Sequence, residues 1–177
     1  ERSAVALRNH ARYLERNHDI TRGVLRTMVN NVVGPGGIGI EPQPRRTDGS
    51  IHTEYAAALR ALHRKWCRRP EVTAKMHWAQ AERMMAYTWL RDGEGFAQQV
   101  VGHVAGLQHG TDVPFSPELL EPDFIPMNFS DLSRNIRQGV QLNAWGRATA
   151  YHCFKRDPRE AGAWVTPSDL KIVPAAN

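Results

Sequence analysis

The sequence predicts an α+β fold in which about four N-terminal helices precede a small, mostly antiparallel sheet with a hairpin at residues 136–154. In four segments before Asp92, apolar residues recur at the 3.6-residue period of a helix. Between Ile136 and Phe154 they alternate with polar residues instead, which is the two-residue period of a strand. We expect residues 1–177 to form a single α+β block.

Two short amphipathic helices open the chain. The first is predicted over about Ser3 to Asn17, with an apolar stripe of Ala4, Leu7, Ala11 and Leu14. Asp19 is a plausible N-cap for the second helix. In that helix a stripe is formed by Ile20, Val24, Met28 and Val32, with Leu25 and Val29 beside it. Both stripes are expected to be buried.

Two longer helices follow a glycine-rich segment. Gly34 to Gly39 comes after a helix and before an extended stretch, so the pattern predicts a helix exit and not a phosphate-binding loop. The third helix, about Thr53 to Arg68, has a predicted buried stripe of Tyr55, Leu59, Leu62 and Trp66. The fourth, about Val72 to Arg91, carries Trp78, Ala81, Met85 and Trp89 along one side. Such a stripe is typical of core packing.

Strand signals dominate the second half. Phe96 to Val101 is a predicted strand, and another is expected near Leu119. In the hairpin, Asn143 and Gly146 hold the first and fourth positions of a type I turn, and one side of the hairpin is expected to be buried. Trp164–Val165 and Leu170 to Val173 are short strand candidates. Residues 102–117 lack periodicity and indicate a flexible surface loop, although His103, His109 and Asp112 could in principle hold a metal.

Positive charge is concentrated in the helical half of the chain. The formal net charge is +5, yet residues 1–91 carry 16 Lys and Arg against 8 Asp and Glu, whereas residues 92–177 carry 7 against 10. Arginine suits forked contacts with carboxylates and phosphates. Two rows at i, i+4, i+8 are therefore candidate subunit-interface or phosphate-contacting residues: Arg8, Arg12 and Arg16, and Arg60, Arg64 and Arg68.

Several function classes lack the residues they need. No apolar run of about 18 residues exists, so no membrane span is expected. Cys67 and Cys153 are too few for a disulfide scaffold and are expected to be free, buried thiols. A metal-dependent nuclease built on Glu121, Asp123 and Lys155 would need an acidic residue two before the lysine, where Cys153 stands. We expect no catalytic, cofactor or metal site and no enzyme.

Three ordered segments resemble the portal proteins of lambda-type tailed phages. The first is Asn30-Asn31-Val32-Val33-Gly34, at the end of a helix. The second is Thr88-Trp89-Leu90-Arg91-Asp92-Gly93-Glu94-Gly95, where a helix gives way to a strand. The third runs from Leu119-Leu120-Glu121-Pro122-Asp123 through a Gly-Val-x-Leu strand to Trp145-Gly146-Arg147 and Ala150-Tyr151-His152. The chain begins without Met or a signal-like start, so we expect a piece of a longer protein. The resemblance implies that this piece is the wing-like N-terminal part of a portal.

The resemblance implies a structural role. A portal is a ring, usually of twelve copies, at one capsid vertex; it passes DNA, docks the terminase that hydrolyses ATP, and later joins the head–tail proteins. The implied location is the virion, with assembly in the host cytoplasm. A helix-turn-helix DNA-binding module built from the first two helices is the alternative, because basic rows are present there.

Overall fold

The computed structural model describes residues 2–158 and 167–175. Its helices are α1 (Arg2–Asn17), α2 (Asp19–Val32), α3 (Thr53–Trp66) and α4 (Trp78–Asp92). Its strands are β1 (Phe96–Val101), β2 (Phe115–Leu120), β3 (Ile136–Arg137), β4 (Val140–Leu142), β5 (Ala148–Phe154) and β6 (Leu170–Pro174). The predicted α+β class, with four N-terminal helices followed by small antiparallel sheets, is confirmed.

A single extended residue separates α1 from α2. His18, and not the predicted Asp19, is the N-cap of α2, and Asp19 is the first helical residue. Because α1 continues to Asn17, only His18 is left to turn the chain. An acidic side chain in the first turn still favours the helix through its dipole.

The fourth helix begins six residues later than predicted, because a buried carboxylate organises the preceding turn. The Glu71 carboxylate accepts hydrogen bonds from the backbone N–H groups of Thr73 at 2.6 Å, Lys75 at 2.6 Å and Met76 at 3.2 Å. Within this turn Ala74 has a φ of 51°. The helix then starts with a capping box between His77 and Gln80.

The strands form two sheets. β1 pairs antiparallel with β2, and a four-stranded antiparallel sheet has the order β3-β4-β5-β6. The predicted hairpin at 136–154 consists of two consecutive hairpins, since a tight turn at Gln138 and Gly139 separates β3 from β4. Both turn residues have positive φ, 51° and 78°, as a type I′ turn requires. Sequence reasoning placed Gly139 inside a strand and missed this turn.

The second turn was predicted correctly. The Asn143 side-chain oxygen accepts hydrogen bonds from the backbone N–H of Trp145 at 2.9 Å and of Arg147 at 3.0 Å. Gly146, with a φ of 78°, returns the chain to β5. This asparagine therefore fixes the shape of the turn through its side chain.

On β5 burial extends beyond the one hairpin side that the sequence predicts, because both faces of the strand carry buried residues. Ala150, His152 and Phe154 are buried on one face of the strand, and Cys153 is buried on the other. The Cys153 face meets the first sheet, where the core cluster combines Leu120, Ile125 and Cys153. Cys67 and Cys153 are free buried thiols, as predicted.

Two further predictions concern single segments. Leu170–Pro174 is a strand, as expected, while the strand candidate Trp164–Val165 lies outside the described residues. Within residues 2–158 and 167–175, none of the helices has the length and apolar character needed to cross a membrane.

Candidate assembly surfaces and the arginine–carboxylate network

Two arginines of the first predicted row point into the chain. Arg8 is 7% exposed, and its guanidinium lies 2.7 Å from Glu94 and 3.4 Å from Asp123. Arg12 donates two hydrogen bonds to Asp92, at 3.0 and 2.6 Å, and lies 2.5 Å from Asp123. We call the side chains of Arg8, Arg12 and Arg91, with those of Asp92, Glu94 and Asp123, the arginine–carboxylate network. It fastens α1 to the end of α4 and to the segment after β2.

Asp92 is the centre of this network. Its side chain is 0% exposed, and Arg91 donates to both carboxylate oxygens at 2.8 and 2.9 Å, opposite Arg12. Burial alone would raise the pKa of Asp92, but the hydrogen bonds and positive charges of Arg91 and Arg12 outweigh it and lower that pKa to about 2. Hydrogen bonding to Asp92 likewise raises the pKa of Arg12. Each ionised partner stabilises the other.

The carboxylates of this network come from two of the segments that carry the family resemblance. Asp92 and Glu94 belong to the segment 88–95, and Asp123 belongs to the segment 119–123. Sequence reasoning did not connect them to α1. The available signal was a pair of arginines four residues apart, which share a helix face, together with carboxylates two residues apart in Asp92/Glu94 and Glu121/Asp123.

The first of the resembling segments, residues 30–34 at the end of α2, also contacts α4. Arg83 donates to the Gly34 carbonyl at 2.8 Å and to the Asn30 side-chain oxygen at 2.7 Å. Gly37, with a φ of 82°, approaches α4 so closely that an added Cβ would lie 2.5 Å from the Glu82 carboxylate and 2.9 Å from the Cβ of Ala79. The glycine-rich exit therefore serves close packing against α4.

The remaining candidate arginines lie at the surface. Arg16 donates to the Arg12 carbonyl on its own helix, and Arg60 forms an ion pair with Glu41. Arg64 and Arg68 are exposed and make no ion pair within the described ranges. Arg8 and Arg12 are thus used inside the chain, and a contact of the other four with a neighbouring subunit or with phosphate stays a prediction.

The helix faces expected to be buried are largely exposed. In α2 the buried residues are Leu25 and Val29, which were predicted to lie only beside the stripe. The predicted stripe of Ile20, Val24, Met28 and Val32 faces solvent, with Ile20 at 84% exposure. Leu7, Tyr55, Leu62 and Trp89 from the other predicted stripes are also exposed. These helices therefore pack on one edge of a broader apolar face and leave the rest uncovered.

The loop after β1 is shorter and more tightly tied than predicted. Phe115 to Pro117 belong to β2, so the loop spans residues 102–114. His109 bridges its ends: Nε2 donates to the Gly102 carbonyl at 2.8 Å, and Nδ1 accepts from the Ser116 hydroxyl at 2.8 Å. Asp112 pairs with Lys65 at 2.9 Å. No group of three or more His, Cys, Asp or Glu in the described part of the chain could hold a metal ion.

Comparison with known proteins connects this architecture to a family. The family model "Phage portal protein, lambda family" matches residues 1–177. A protein of Halomonas phage phiHAP-1 named "Probable portal protein" is 21% identical over 174 residues, which cover 96% of this chain and 32% of that protein. The chain therefore spans about a third of the length of this curated relative. The chain belongs to the lambda family of phage portal proteins.

Proposed function

We propose that this chain is a structural part of a portal ring at the capsid vertex of a phage or prophage, serving DNA packaging and head–tail connection. The match of the lambda-family portal model to residues 1–177 carries this proposal. In the complete protein the chain forms one wing-like N-terminal block. Its role is mechanical and not enzymatic, and ATP hydrolysis belongs to the terminase.

The exposed surfaces are consistent with a part that is covered in a larger assembly. A closed ring of identical subunits uses heterologous interfaces, in which two different faces of one subunit are complementary. The block offers uncovered apolar side chains on α2 together with two exposed arginines, Arg64 on α3 and Arg68 just after it. The partners we propose are other copies of the chain in a twelve-membered ring, the terminase, the head–tail joining proteins and the DNA that passes through the ring.

The mass and electron-microscope appearance of the full-length protein test this function. A closed ring with a central hole is the expected result. A monomer or dimer that binds duplex DNA with a steep salt dependence would favour the helix-turn-helix alternative instead. Arg8 and Arg12, on which that alternative depends, bind carboxylates within the chain.

The second predicted arginine row, which runs along α3 and past its end at Trp66, provides a more specific prediction. We expect Arg60, Arg64 and Arg68 to meet acidic residues of a neighbouring subunit, so changing all three to glutamate should weaken ring assembly and alter its salt dependence. Light scattering against ionic strength measures both effects. The matched control is Arg45→Glu with Arg46→Glu, which reverses exposed charges in the loop before α3. If the triple variant assembles like the unchanged protein at every salt concentration, this row is not at the interface.

A further inference from the structure

His152 is a buried histidine with a ring nitrogen that makes no hydrogen bond. It lies in β5 and is 4% exposed. In the part of the chain that the structure describes, its Nε2 atom is buried and has no hydrogen-bond partner. A neutral imidazole leaves one acceptor unfilled at this nitrogen, whereas a protonated ring would place a charge and an N–H donor there. The neutral ring therefore suits the site, and the imidazolium does not.

Residues 126–139, which we call the cap segment, pack on this histidine. The segment is closed on itself, because the Gly139 N–H donates to the Phe129 carbonyl at 2.7 Å. Two contacts join it to His152. The backbone N–H of His152 donates to the Gly139 carbonyl at 2.8 Å, and the imidazole lies against the Phe129 ring with centroids 5.2 Å apart. The position of the cap segment on β5 thus depends on this one residue.

The charge beside the ring also opposes protonation. Burial lowers the pKa of His152, and the positive charge of Arg134, in a short helical turn of the cap segment, lowers it further. The residues next to His152 on the neighbouring strands, Gly139 and Ile172, carry no charge. Among the described residues, Arg134 is therefore the charged group that acts on the imidazole.

Asp131, in the same segment, is already engaged elsewhere. Hydrogen bonds from Ser133 and Arg134 lower the pKa of Asp131 to about 2, so this carboxylate stays ionised in mild acid. Its oxygens accept from the Ser133 hydroxyl at 2.6 Å and from the Arg134 guanidinium at 2.6 Å. No hydrogen bond joins it to His152 within the described ranges. A protonated His152 therefore gains no counter-ion from this carboxylate.

We propose that His152 is a pH-sensitive latch, which holds the cap segment on β5 while its ring is neutral and releases the segment when the ring is protonated. Release hydrates the imidazolium, and it also separates the imidazolium from Arg134, because Arg134 moves with the segment. Opening this one segment relieves both costs without unfolding the rest of the chain. The latch does not depend on the portal function.

The pH range follows from the sign of the linkage. The opened segment exposes an imidazole of ordinary pKa, 6.5, whereas the closed one holds a ring with a lowered pKa. The open form therefore binds more protons below about pH 6.5, and closure is favoured less as the pH falls. Above that pH the ring is neutral in both forms and the latch stays closed.

Hydrogen exchange measured by mass spectrometry on the full-length protein tests the latch. We expect the protection of peptides from residues 126–139 to fall about tenfold between about pH 7.5 and about pH 5, after correction for the intrinsic pH dependence of amide exchange. Peptides from α4 should keep their protection over the same range. Protection of the cap segment that does not change, or that falls no more than the protection of α4, would overturn the proposal.

Variants without an ionisable ring assign the effect to His152. His152→Gln and His152→Phe both lack a group that titrates near pH 6, so the cap segment should stay protected at the lower pH. The matched control is His103→Gln, which removes an exposed histidine in the loop after β1 and should lose protection in acid like the unchanged protein. If a folded His152 variant also loses protection in acid, another group is responsible and the latch is wrong.

A third variant covers the outcome in which neither His152 variant folds. Arg134 has a side chain that is 53% exposed, so Arg134→Gln should fold. Without the positive charge beside it, the closed imidazole accepts a proton more easily, and the loss of protection in acid should become smaller. An unchanged loss in Arg134→Gln would contradict the latch.

Discussion

Replacing Asp92 with asparagine is expected to destabilise the chain by about 3 kcal/mol, because a fully buried anion between two arginines is lost. The substitution keeps the size of the side chain but leaves Arg12 and Arg91 close together without their shared carboxylate. An asparagine N–H₂ group also cannot accept the hydrogen bonds that these guanidiniums donate. Equilibrium denaturation in urea measures the change.

Two further measurements separate this effect from general charge removal. Asp19→Asn is the matched control, since Asp19 pairs with Arg22 at the surface and the change should cost less than about 0.5 kcal/mol. The second measurement is pH. The folded pKa of Asp92 lies near 2, below the unfolded value of 3.8, so its contribution is complete above about pH 4 and is lost as the pH falls towards 2. The difference in unfolding free energy between the unchanged protein and Asp92→Asn should therefore shrink as the pH falls over that range. A difference that stays constant would contradict this account.

The local elements were predictable because their signals lie within a few residues. The helical period located α1 and α2, and the pair Asn143 and Gly146 identified the turn that the structure contains. The predicted start of α4 was wrong, because the Glu71 carboxylate organises a competing turn through hydrogen bonds to residues two to five positions further along the chain. That outcome depends on burial, which propensity does not report.

The candidate site was predicted less well than the fold. The arginine row of α1 was identified, but its direction depends on where Asp92 and Asp123 lie, 80 and 111 residues further along the chain. In α2 the apolar residues cover more of the helix than one neighbour can bury, so the sequence alone could not decide which edge faces α4. The structure selects Leu25 and Val29 and leaves the Ile20 edge exposed.

Replacing Gly139 with alanine is expected to cost about 3 kcal/mol, from two separate causes. Its φ of 78° is a left-handed conformation that costs a residue with a Cβ about 1–2 kcal/mol. In addition, a Cβ would lie 2.8 Å from Cγ2 of Ile125 and 3.2 Å from the Pro126 carbonyl oxygen. Ile125 belongs to the core cluster and cannot move away freely, so overpacking adds further cost.

Gly146→Ala isolates the first cause, the cost of a left-handed backbone conformation. Gly146 has the same φ of 78°, but a Cβ there would meet nothing within 4 Å, so the variant should lose only about 1 kcal/mol. The difference between the two variants in urea denaturation then reports the packing of the β3–β4 turn against residues 125–126. Equal losses would mean that the turn can move away from the core, and that Gly139 matters for its backbone conformation alone. A larger loss of unfolding free energy in Gly139→Ala than in Gly146→Ala would establish that the β3–β4 turn fixes the position of the four-stranded sheet on the core. Nothing in the two-residue period of the sequence indicated this turn.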